Sequence, residues 1–209
     1  MKKIFSTILT ASLMLFGIQA FAQSSVNAGY LNSTQSYANS ESINSNGAYV
    51  GFSYNLPLAG GFGIAPGVYY SMITNKKGGA GTILGVSAAA SSTFMEHAVN
   101  VPLYLNYGID LARDAKFSIY AGPTAQYGLA STTKLAGGVG EYTADKTYNN
   151  YDNSNYTRFN VYLGGGVCFQ VDSFLINVGF AYGMMNLYKG DNAAKTHRSN
   201  LKLGVGFAF

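Results

Sequence analysis

Apolar and polar residues alternate at every second position along most of the chain. Residues 48–56, AYVGFSYNL, place Ala, Val, Phe, Tyr and Leu on one face and Tyr, Gly, Ser and Asn on the other. A period of two is typical of a β-strand whose faces meet different environments. The same alternation occurs in residues 26–30, 62–72, 99–107, 117–127, 158–171, 174–184 and 200–209. The pattern predicts about eight strands of roughly ten residues, the length that crosses a bilayer when tilted.

The two faces of these strands indicate a membrane barrel rather than a soluble sandwich. The apolar face carries no charged residue, and charged residues make up only 11% of the whole chain. The second face consists mainly of Gly, Ser, Asn, Gln and Tyr, with the charged residues Glu96, Lys116, Arg158 and Lys202. A soluble sandwich would instead expose a face rich in Lys, Glu and Thr. We therefore predict an all-β, closed antiparallel transmembrane β-barrel, since closure pairs every backbone polar group.

Short and long connections between the strands also alternate. Short turns are predicted at residues 57–61, 108–115 and 172–173. Long loops are predicted at residues 33–45, 73–93, 130–157 and 187–197. Outer-membrane barrels have short periplasmic turns and long external loops. This rhythm predicts four external loops, and an even strand number places both chain ends on the periplasmic side.

Aromatic residues of the apolar face are predicted at both ends of the barrel, where they would form two interfacial girdles. At the short-turn end they are Tyr54, Phe62, Tyr107, Phe117, Phe169, Phe174 and Phe209. At the long-loop end they are Tyr70, Tyr127, Phe159 and Tyr182.

Three prolines lie inside consecutive predicted strands: Pro66, Pro102 and Pro123. Proline cannot donate a hydrogen bond to a strand ladder, and a closed barrel has no free edge to accommodate it. We therefore expect bulges or interrupted pairing at these positions.

The first residues read MKKIFSTILTASLMLFGIQAFAQ, two lysines followed by an apolar run and an Ala-Phe-Ala site. This order is typical of a secretory signal peptide. A retained membrane helix is the alternative, but the apolar run is short and the small-residue site follows it directly. We predict a signal peptide over residues 1–22 with cleavage after Ala22, and a barrel domain over residues 23–209.

Charge and cysteine content exclude several function classes. The net charge of +4 comes from 13 basic and 9 acidic residues, and without Lys2 and Lys3 it is 11 against 9. So small an excess does not indicate nucleic-acid binding. The single cysteine, Cys168, excludes an intramolecular disulfide. The motifs at 78–85 and 152–155 lack the residues of phosphate and calcium loops. We predict no catalytic, cofactor-binding or metal-binding residues.

One region resembles a known family. HAVNVPLYLNYGIDL at 97–111 and FSIYAGPTAQYGL at 117–129 are similar to the PorT-like small outer-membrane barrels, which show an apolar-Pro-Leu strand, a charged turn and an Ala-Gly-Pro strand. Asn106 stands where that family frequently has lysine. The resemblance implies an outer-membrane location. Its members differ in role and include parts of secretion systems, so it fixes no function.

Two arrangements of charged or nucleophilic residues are candidates for chemistry. His197 and Ser199 share one strand face, as in some outer-membrane lipid deacylases, but the orienting acids Glu41 and Asp191 lie in predicted loops. We therefore do not predict an enzyme. Glu96 and Arg158 are predicted to face the lumen and to form an ion pair, the alternative being solvated charges at a wide mouth.

The remaining basic residues of the predicted loops are expected to be solvated or to contact lipopolysaccharide phosphates. They are Lys76, Lys77, Lys134, Lys146, Lys189, Lys195 and Arg198.

The leading functional prediction is an integral barrel of the cell outer membrane with a structural or surface-binding role through its external loops. One form of this prediction is a structural role in association with secretion machinery. A narrow passive channel is the alternative, because the inward glycines could leave a thin water path. They are Gly63, Gly67, Gly122, Gly164, Gly166, Gly179, Gly183, Gly204 and Gly206. A lipid-modifying enzyme is the third reading.

The expected partners follow from the same interpretation. They are the outer-membrane lipids and, during biogenesis, the barrel-assembly machinery, since Phe209 with apolar residues at every second position before it looks like the signal which that machinery reads. The sequence does not identify a surface ligand or a secretion partner.

Overall fold

The fold is seen in a computed structural model, which describes residues 23–37, 40–83, 86–139, 142–189 and 195–209. The predicted signal peptide, residues 1–22, and Asp191 lie outside the described residues, so cleavage after Ala22 stays a prediction.

Long antiparallel strands make up most of the described chain. The strands are β1 Gln23–Tyr37, β2 Ser40–Pro57, β3 Phe62–Ile83, β4 Val86–Ala112, β5 Ala115–Val139, β6 Tyr142–Asn149, β7 Phe159–Val171, β8 Phe174–Gly183 and β9 Thr196–Ala208. Two 3-10 turns, Ala59–Gly61 and Asn150–Asp152, complete the elements. Among the described residues, no helix is both long and apolar enough to cross a membrane.

Eight of the strands close into a ring. Their order is β4-β3-β2-β1-β9-β8-β7-β5, and β5 pairs with β4 to complete the circle. The strand β6 lies outside the ring and pairs with residues 132–139 of β5, beyond the segment 115–127 that pairs with β7. The predicted closed antiparallel barrel of eight strands is confirmed, and closure leaves the ring without a free edge.

The outward face of the ring is apolar and the inward face polar. Leu103 and Val205 on the outward face are 53% and 62% exposed, whereas Asn27, Asn100 and Gln126 on the inward face are buried. This arrangement is the reverse of a soluble protein's and matches the predicted alternation.

Most of the predicted short-turn girdle is exposed, but Tyr54 is an exception. Tyr54 is only 6% exposed. Its ring packs edge-on against Phe52 at 4.8 Å between centroids, and Phe52 also contacts Phe209 at 6.2 Å. The aromatic rings cluster there, so burial by neighbours overrides the exposure expected from strand parity.

Three of the four predicted external loops are continued strands instead. The hairpins pair almost to their tips, as Tyr37 with Ser40, Ile83 with Val86 and Val139 with Tyr142 show. The predicted long connections are present, but they are paired, although these stretches are mostly small and polar and carry no regular apolar alternation. An antiparallel ladder can continue without apolar alternation, since each added pair of residues satisfies backbone hydrogen bonds.

The ladder is interrupted next to each proline, as predicted. Between β3 and β4 the pairing stops after Pro66 with Leu103 and resumes at Tyr69 with Asn100, which skips Pro102. Between β4 and β5 the residues opposite Pro123 are likewise unpaired. The register does not shift at these gaps. Proline therefore removes local hydrogen bonds and leaves the strand alignment intact.

The tight turn between β7 and β8 is also confirmed. Val171 pairs with Phe174, and Asp172 takes a positive φ of 51°. The Gln170 side chain donates to the Asp172 carbonyl oxygen at 2.8 Å and stabilises the turn.

Candidate functional site

A buried ion pair crosses the lumen near the long-hairpin end. Arg198 on β9 and Glu96 on β4 belong to opposite strands of the ring. Nη1 of Arg198 donates to Oε1 of Glu96, and Nη2 donates to Oε2 at 3.2 Å. The side chains are 3% and 4% exposed. This two-point contact of a guanidinium with a carboxylate is the strongest ion-pair geometry that proteins use.

The predicted partner of Glu96 was wrong. Arg158 lies one residue before β7 begins, is exposed, and stands over the Tyr151 ring at 4.7 Å. Arg198 was assigned to a loop, but it lies within β9. Its two neighbours His197 and Ser199 had been assigned to the outward face, and strand parity then turns Arg198 inward. The alternation of faces could therefore have predicted an inward Arg198. It was missed because the last strand was predicted to begin at residue 200, whereas β9 begins at Thr196.

Tyr156 extends the ion pair into a network. Its hydroxyl donates to Oε2 of Glu96 at 3.1 Å and accepts from Nη2 of Arg198 at 3.1 Å. Burial raises the pKa of Tyr156 well above its usual value, so the hydroxyl stays protonated and able to donate. The backbone of Tyr156 bridges to Tyr188, which ties this segment to the connection between β8 and β9.

A second polar layer lies beneath the ion pair. Tyr162 donates to Oε1 of Gln126 at 3.0 Å, Gln126 donates to Asn100 at 2.8 Å, and Asn100 donates to Ser71 at 2.8 Å. The chain of hydrogen bonds joins four strands. The cavity beside the ion pair measures only about 10 Å³. We call Glu96, Arg198, Tyr156 and this layer the plug, because their hydrogen bonds reach across the lumen between β3, β4, β5, β7 and β9.

Tyrosine rings occupy the space beside several of the inward glycines. A Cβ atom added to Gly179 or Gly166 would lie 2.5 or 2.6 Å from the hydroxyl of Tyr120, and one added to Gly204 would meet the hydroxyl of Tyr49. The predicted alternative of a water path along the glycines therefore disagrees with the packing. Large rings against glycine are a close-packed arrangement.

Above the plug lies an open cavity of about 560 Å³, the outer cup. Its lining residues are Gln35, Ile43, Ser45, Asn75, Lys77, Ser92, Phe94, Thr133, Tyr148, Asn149, Asn150, Asn153, Tyr156 and Tyr188. Lys77 is the only charged residue among the described residues of this lining. The volume is in the range of small-molecule sites.

Some polar groups of the cup are used by the protein and others face the cavity. Asn149 and Asn150 are held on both sides of their amides, for example by Asp152 at 2.8 Å and Ser131 at 2.9 Å. Within the described part of the chain, the hydroxyls of Ser92 and Tyr188 have no hydrogen-bond partner. The cup was missed from the sequence because its residues come from β1 to β6 and two loops.

Below the plug, at the short-turn end, lies a cavity of about 150 Å³, the inner chamber. Its walls combine Ser, Asn, Gln and Tyr side chains with Cys168 and a few apolar residues. Lys202 is the only charged residue among the described residues that line it. The Lys202 ammonium stands over the rings of Tyr49 at 5.6 Å and Tyr69 at 5.9 Å.

The histidine–serine pair is not assembled as a catalytic group. His197 Nδ1 lies 3.1 Å from the Gly183 carbonyl oxygen, and its ring stacks on Tyr182 at 5.6 Å. The backbone of Ser199 pairs with Tyr182 and Thr34. Within the described ranges no carboxylate contacts His197, and Glu41 is an exposed residue of β2. His97 repeats the same arrangement, stacked on Tyr70 at 6.0 Å.

The other basic residues of the predicted loops, from Lys76 to Lys195, are exposed. Lys134 pairs with Asp145 at 3.2 Å with both side chains 56% exposed, and Lys146 stands over Tyr148 at 4.9 Å. In the described part of the chain, no group of three or more His, Cys, Asp and Glu residues is placed to bind a metal.

The family model described as outer membrane protein beta-barrel domain matches residues 17–189. No curated protein matches the sequence.

Solved structures with a similar fold share little sequence. Ail, the attachment invasion locus protein of Yersinia pestis, in complex with the heparin analogue sucrose octasulfate, is 15% identical with a TM-score of 0.45, covering 90% of this chain and 99% of that one. Neisserial surface protein A is 14% identical with a TM-score of 0.45, covering 89% and 97%. OprG from Pseudomonas aeruginosa is 10% identical with a TM-score of 0.40, covering 90% and 96%.

Proposed function

The chain belongs to the outer membrane protein beta-barrel domain family, and from that premise we propose that it is a binding module of the cell surface whose ligand site is the outer cup. An integral barrel of the outer membrane presents its long hairpins to the outside. The cup is formed by those hairpins, so a ligand reaches it without crossing the membrane.

The observation that carries this proposal is the plug directly beneath the cup. The space beside Arg198 and Glu96 is about 10 Å³, against about 560 Å³ above it. A cavity that ends on a buried ion pair can hold a ligand but offers it no path onward. The geometry therefore favours binding over transport.

The lining of the cup favours a neutral ligand rich in hydroxyl groups, such as a saccharide. Hydroxyls and amides both donate and accept hydrogen bonds, which suits the hydroxyls of a sugar. The faces of Phe94, Tyr148 and Tyr188 offer aromatic surface on which the apolar face of a sugar ring stacks. A single lysine, Lys77, gives little attraction for a polyanion.

Binding to neutral oligosaccharides tests the proposal. The protein in lipid nanodiscs is titrated with a panel of neutral oligosaccharides and, in parallel, with sulfated ones, by calorimetry. We expect saturable binding of a neutral member, and at least a fivefold weaker affinity in the Tyr188→Phe and Ser92→Ala variants. Each loses one hydroxyl that faces the cup.

Tyr127→Phe is the matched control, since it deletes the same atom from an exposed tyrosine of the outward barrel face. Equal loss in the control, preference for sulfated ligands, or no binding by any neutral member would reject the outer cup as a saccharide site.

A narrow channel is the competing function, and planar-bilayer recording separates the two. The plug predicts silence from the wild type. Reproducible single-channel steps from the wild type would favour the channel and count against a closed lumen.

Within the family we propose the narrower PorT-like assignment, supported by the Val101-Pro102-Leu103 and Ala121-Gly122-Pro123 segments. A structural role beside secretion machinery is the corresponding second function. This structural role is tested by crosslinking from a Ser92→Cys variant, whose new thiol lies in the cup. Capture of a protein of the secretion machinery, with no saccharide binding, would favour the structural role. The expected partners of the inserted protein are the outer-membrane lipids. During insertion the expected partner is the barrel-assembly machinery.

A further inference from the structure

The inner chamber contains a cation with no anionic partner. Lys202 extends inward from β9, where its backbone pairs with Leu31 and Gly179. In the described part of the chain, the ion pairs are Lys134 with Asp145 and Arg198 with Glu96, and Lys202 belongs to neither. The lining of the chamber holds no Asp or Glu among the described residues.

The surroundings of Lys202 partly replace a counter-ion. The ammonium lies over two tyrosine rings, 5.6 Å from the centroid of Tyr49 and 5.9 Å from that of Tyr69. A ring face attracts a cation, but less than a full negative charge does. The hydroxyl of Tyr49 donates to Asn177 at 2.7 Å. The remaining positive charge is directed into the chamber.

The chamber also supplies neutral donors and an entrance. Ser25, Asn27 and Ser53 line one wall and bond to one another: the Asn27 amide donates to both serines, and one serine hydroxyl donates to the other. The second serine hydroxyl keeps a proton that it can donate to a ligand. The other end of the cavity is lined by Gln23 at the start of β1, Asn55 near the end of β2, and Asn106, which pairs with Gly63 near the start of β3. Because the plug closes the outer side, a ligand enters from the periplasmic side.

We propose that the inner chamber binds a small oxyanion, a carboxylate or phosphate group, which pairs with the Lys202 ammonium. The volume of about 150 Å³ accommodates a group of that size and excludes large ligands. Buried charges in proteins are normally paired, and an oxyanion completes the pair that the chain itself does not provide. The site is separate from the outer cup, so its failure would leave the proposed saccharide function untouched.

The test uses the full-length protein in detergent micelles at constant ionic strength. Inorganic phosphate and acetate are titrated separately, with sodium chloride replaced stepwise, while the unfolding midpoint is followed by heat-modified gel mobility. A ligand that binds only the folded state raises the midpoint in a saturable way. We expect such a rise with phosphate, acetate or both, which distinguishes the two oxyanion classes, and shifted amide resonances of Gly204 and Gly206.

Two variants and a matched control decide the assignment. Lys202→Met should lose at least tenfold in oxyanion affinity, and Lys202→Gln serves in its place if the methionine variant does not fold. Lys116→Met is the control, since Lys116 is a half-buried lysine on the inward face near the same end of the barrel but outside the chamber lining. No saturable effect in the wild type, or the same effect in the Lys202 variants, would overturn the oxyanion site.

Discussion

Arg198 and Glu96, on opposite strands of an eight-stranded ring, form a buried ion pair through two hydrogen bonds. The contact joins residues 102 positions apart in the chain. It divides the lumen into an outer cup and an inner chamber. The two compartments have different chemistry and face different sides of the membrane.

The ion pair predicts a strong asymmetry between single and double replacements. Glu96→Gln or Arg198→Met leaves one charge buried without its partner and should lower the free energy of unfolding by about 3–5 kcal/mol. The double variant Glu96→Met with Arg198→Met removes both charges and should be closer to the wild type than either single variant. Unfolding in urea, followed by circular dichroism, measures all three.

The exposed pair of Lys134 and Asp145 is the control for that experiment. Both side chains are 56% exposed, so Asp145→Asn should change stability by no more than about 1 kcal/mol. A Glu96 variant as mild as the Asp145 variant would contradict the buried pair.

The packing of Tyr120 against Gly179 predicts a rescue. A Cβ at Gly179 would lie 2.5 Å from the Tyr120 hydroxyl, while the next neighbour, the Gly165 carbonyl oxygen, is at an ordinary 3.4 Å. Gly179→Ala should therefore destabilise the barrel by about 1–3 kcal/mol. Adding Tyr120→Phe removes the clashing hydroxyl and should restore most of the loss, as a double-mutant cycle of unfolding free energies would show.

Gly81→Ala provides the comparison for Gly179→Ala, because a Cβ at Gly81 has no atom within 4 Å. It should leave the unfolding free energy nearly unchanged. A similar loss in both variants would mean that alanine itself, and not Tyr120, causes the effect.

The raised pKa of Tyr156 predicts how stability changes in alkali. Burial holds the proton on Tyr156 in the folded state, whereas the unfolded side chain releases it near pH 10. The contribution of this group is fully present below that pH and is lost as the pH rises above it. The slope for one tyrosine is at most about 1.4 kcal/mol per pH unit.

Unfolding free energies of the wild type and Tyr156→Phe between pH 9 and pH 11.5 measure this slope. The variant should be less stable at neutral pH, since it loses its hydrogen bonds to Glu96 and Arg198, and its curve should be flatter in alkali. Tyr148→Phe, at an exposed tyrosine, should keep the wild-type slope. Parallel curves for the wild type and Tyr156→Phe would contradict the buried, protonated hydroxyl.

The alternation of residues such as Val50, Leu103 and Val205 with small polar neighbours determined the fold by itself. Period two with one apolar face specifies a strand with lipid on one side, and eight such strands of similar length close into a barrel. The interrupted pairing next to the prolines could also be predicted from the sequence, because the missing N–H is a property of the residue and not of its surroundings.

Which inward side chains meet was decided only by the tertiary structure. Parity places Glu96, Arg198 and Lys202 in the lumen, but ring closure and register set which of them face one another across it. Closure brings β9 opposite β4 and pairs Arg198 with Glu96, while Lys202 is left among tyrosines. The outer cup has the same origin, since its lining comes from strands far apart in the chain. Local alternation fixes which face a side chain lies on, and long-range pairing fixes its partner.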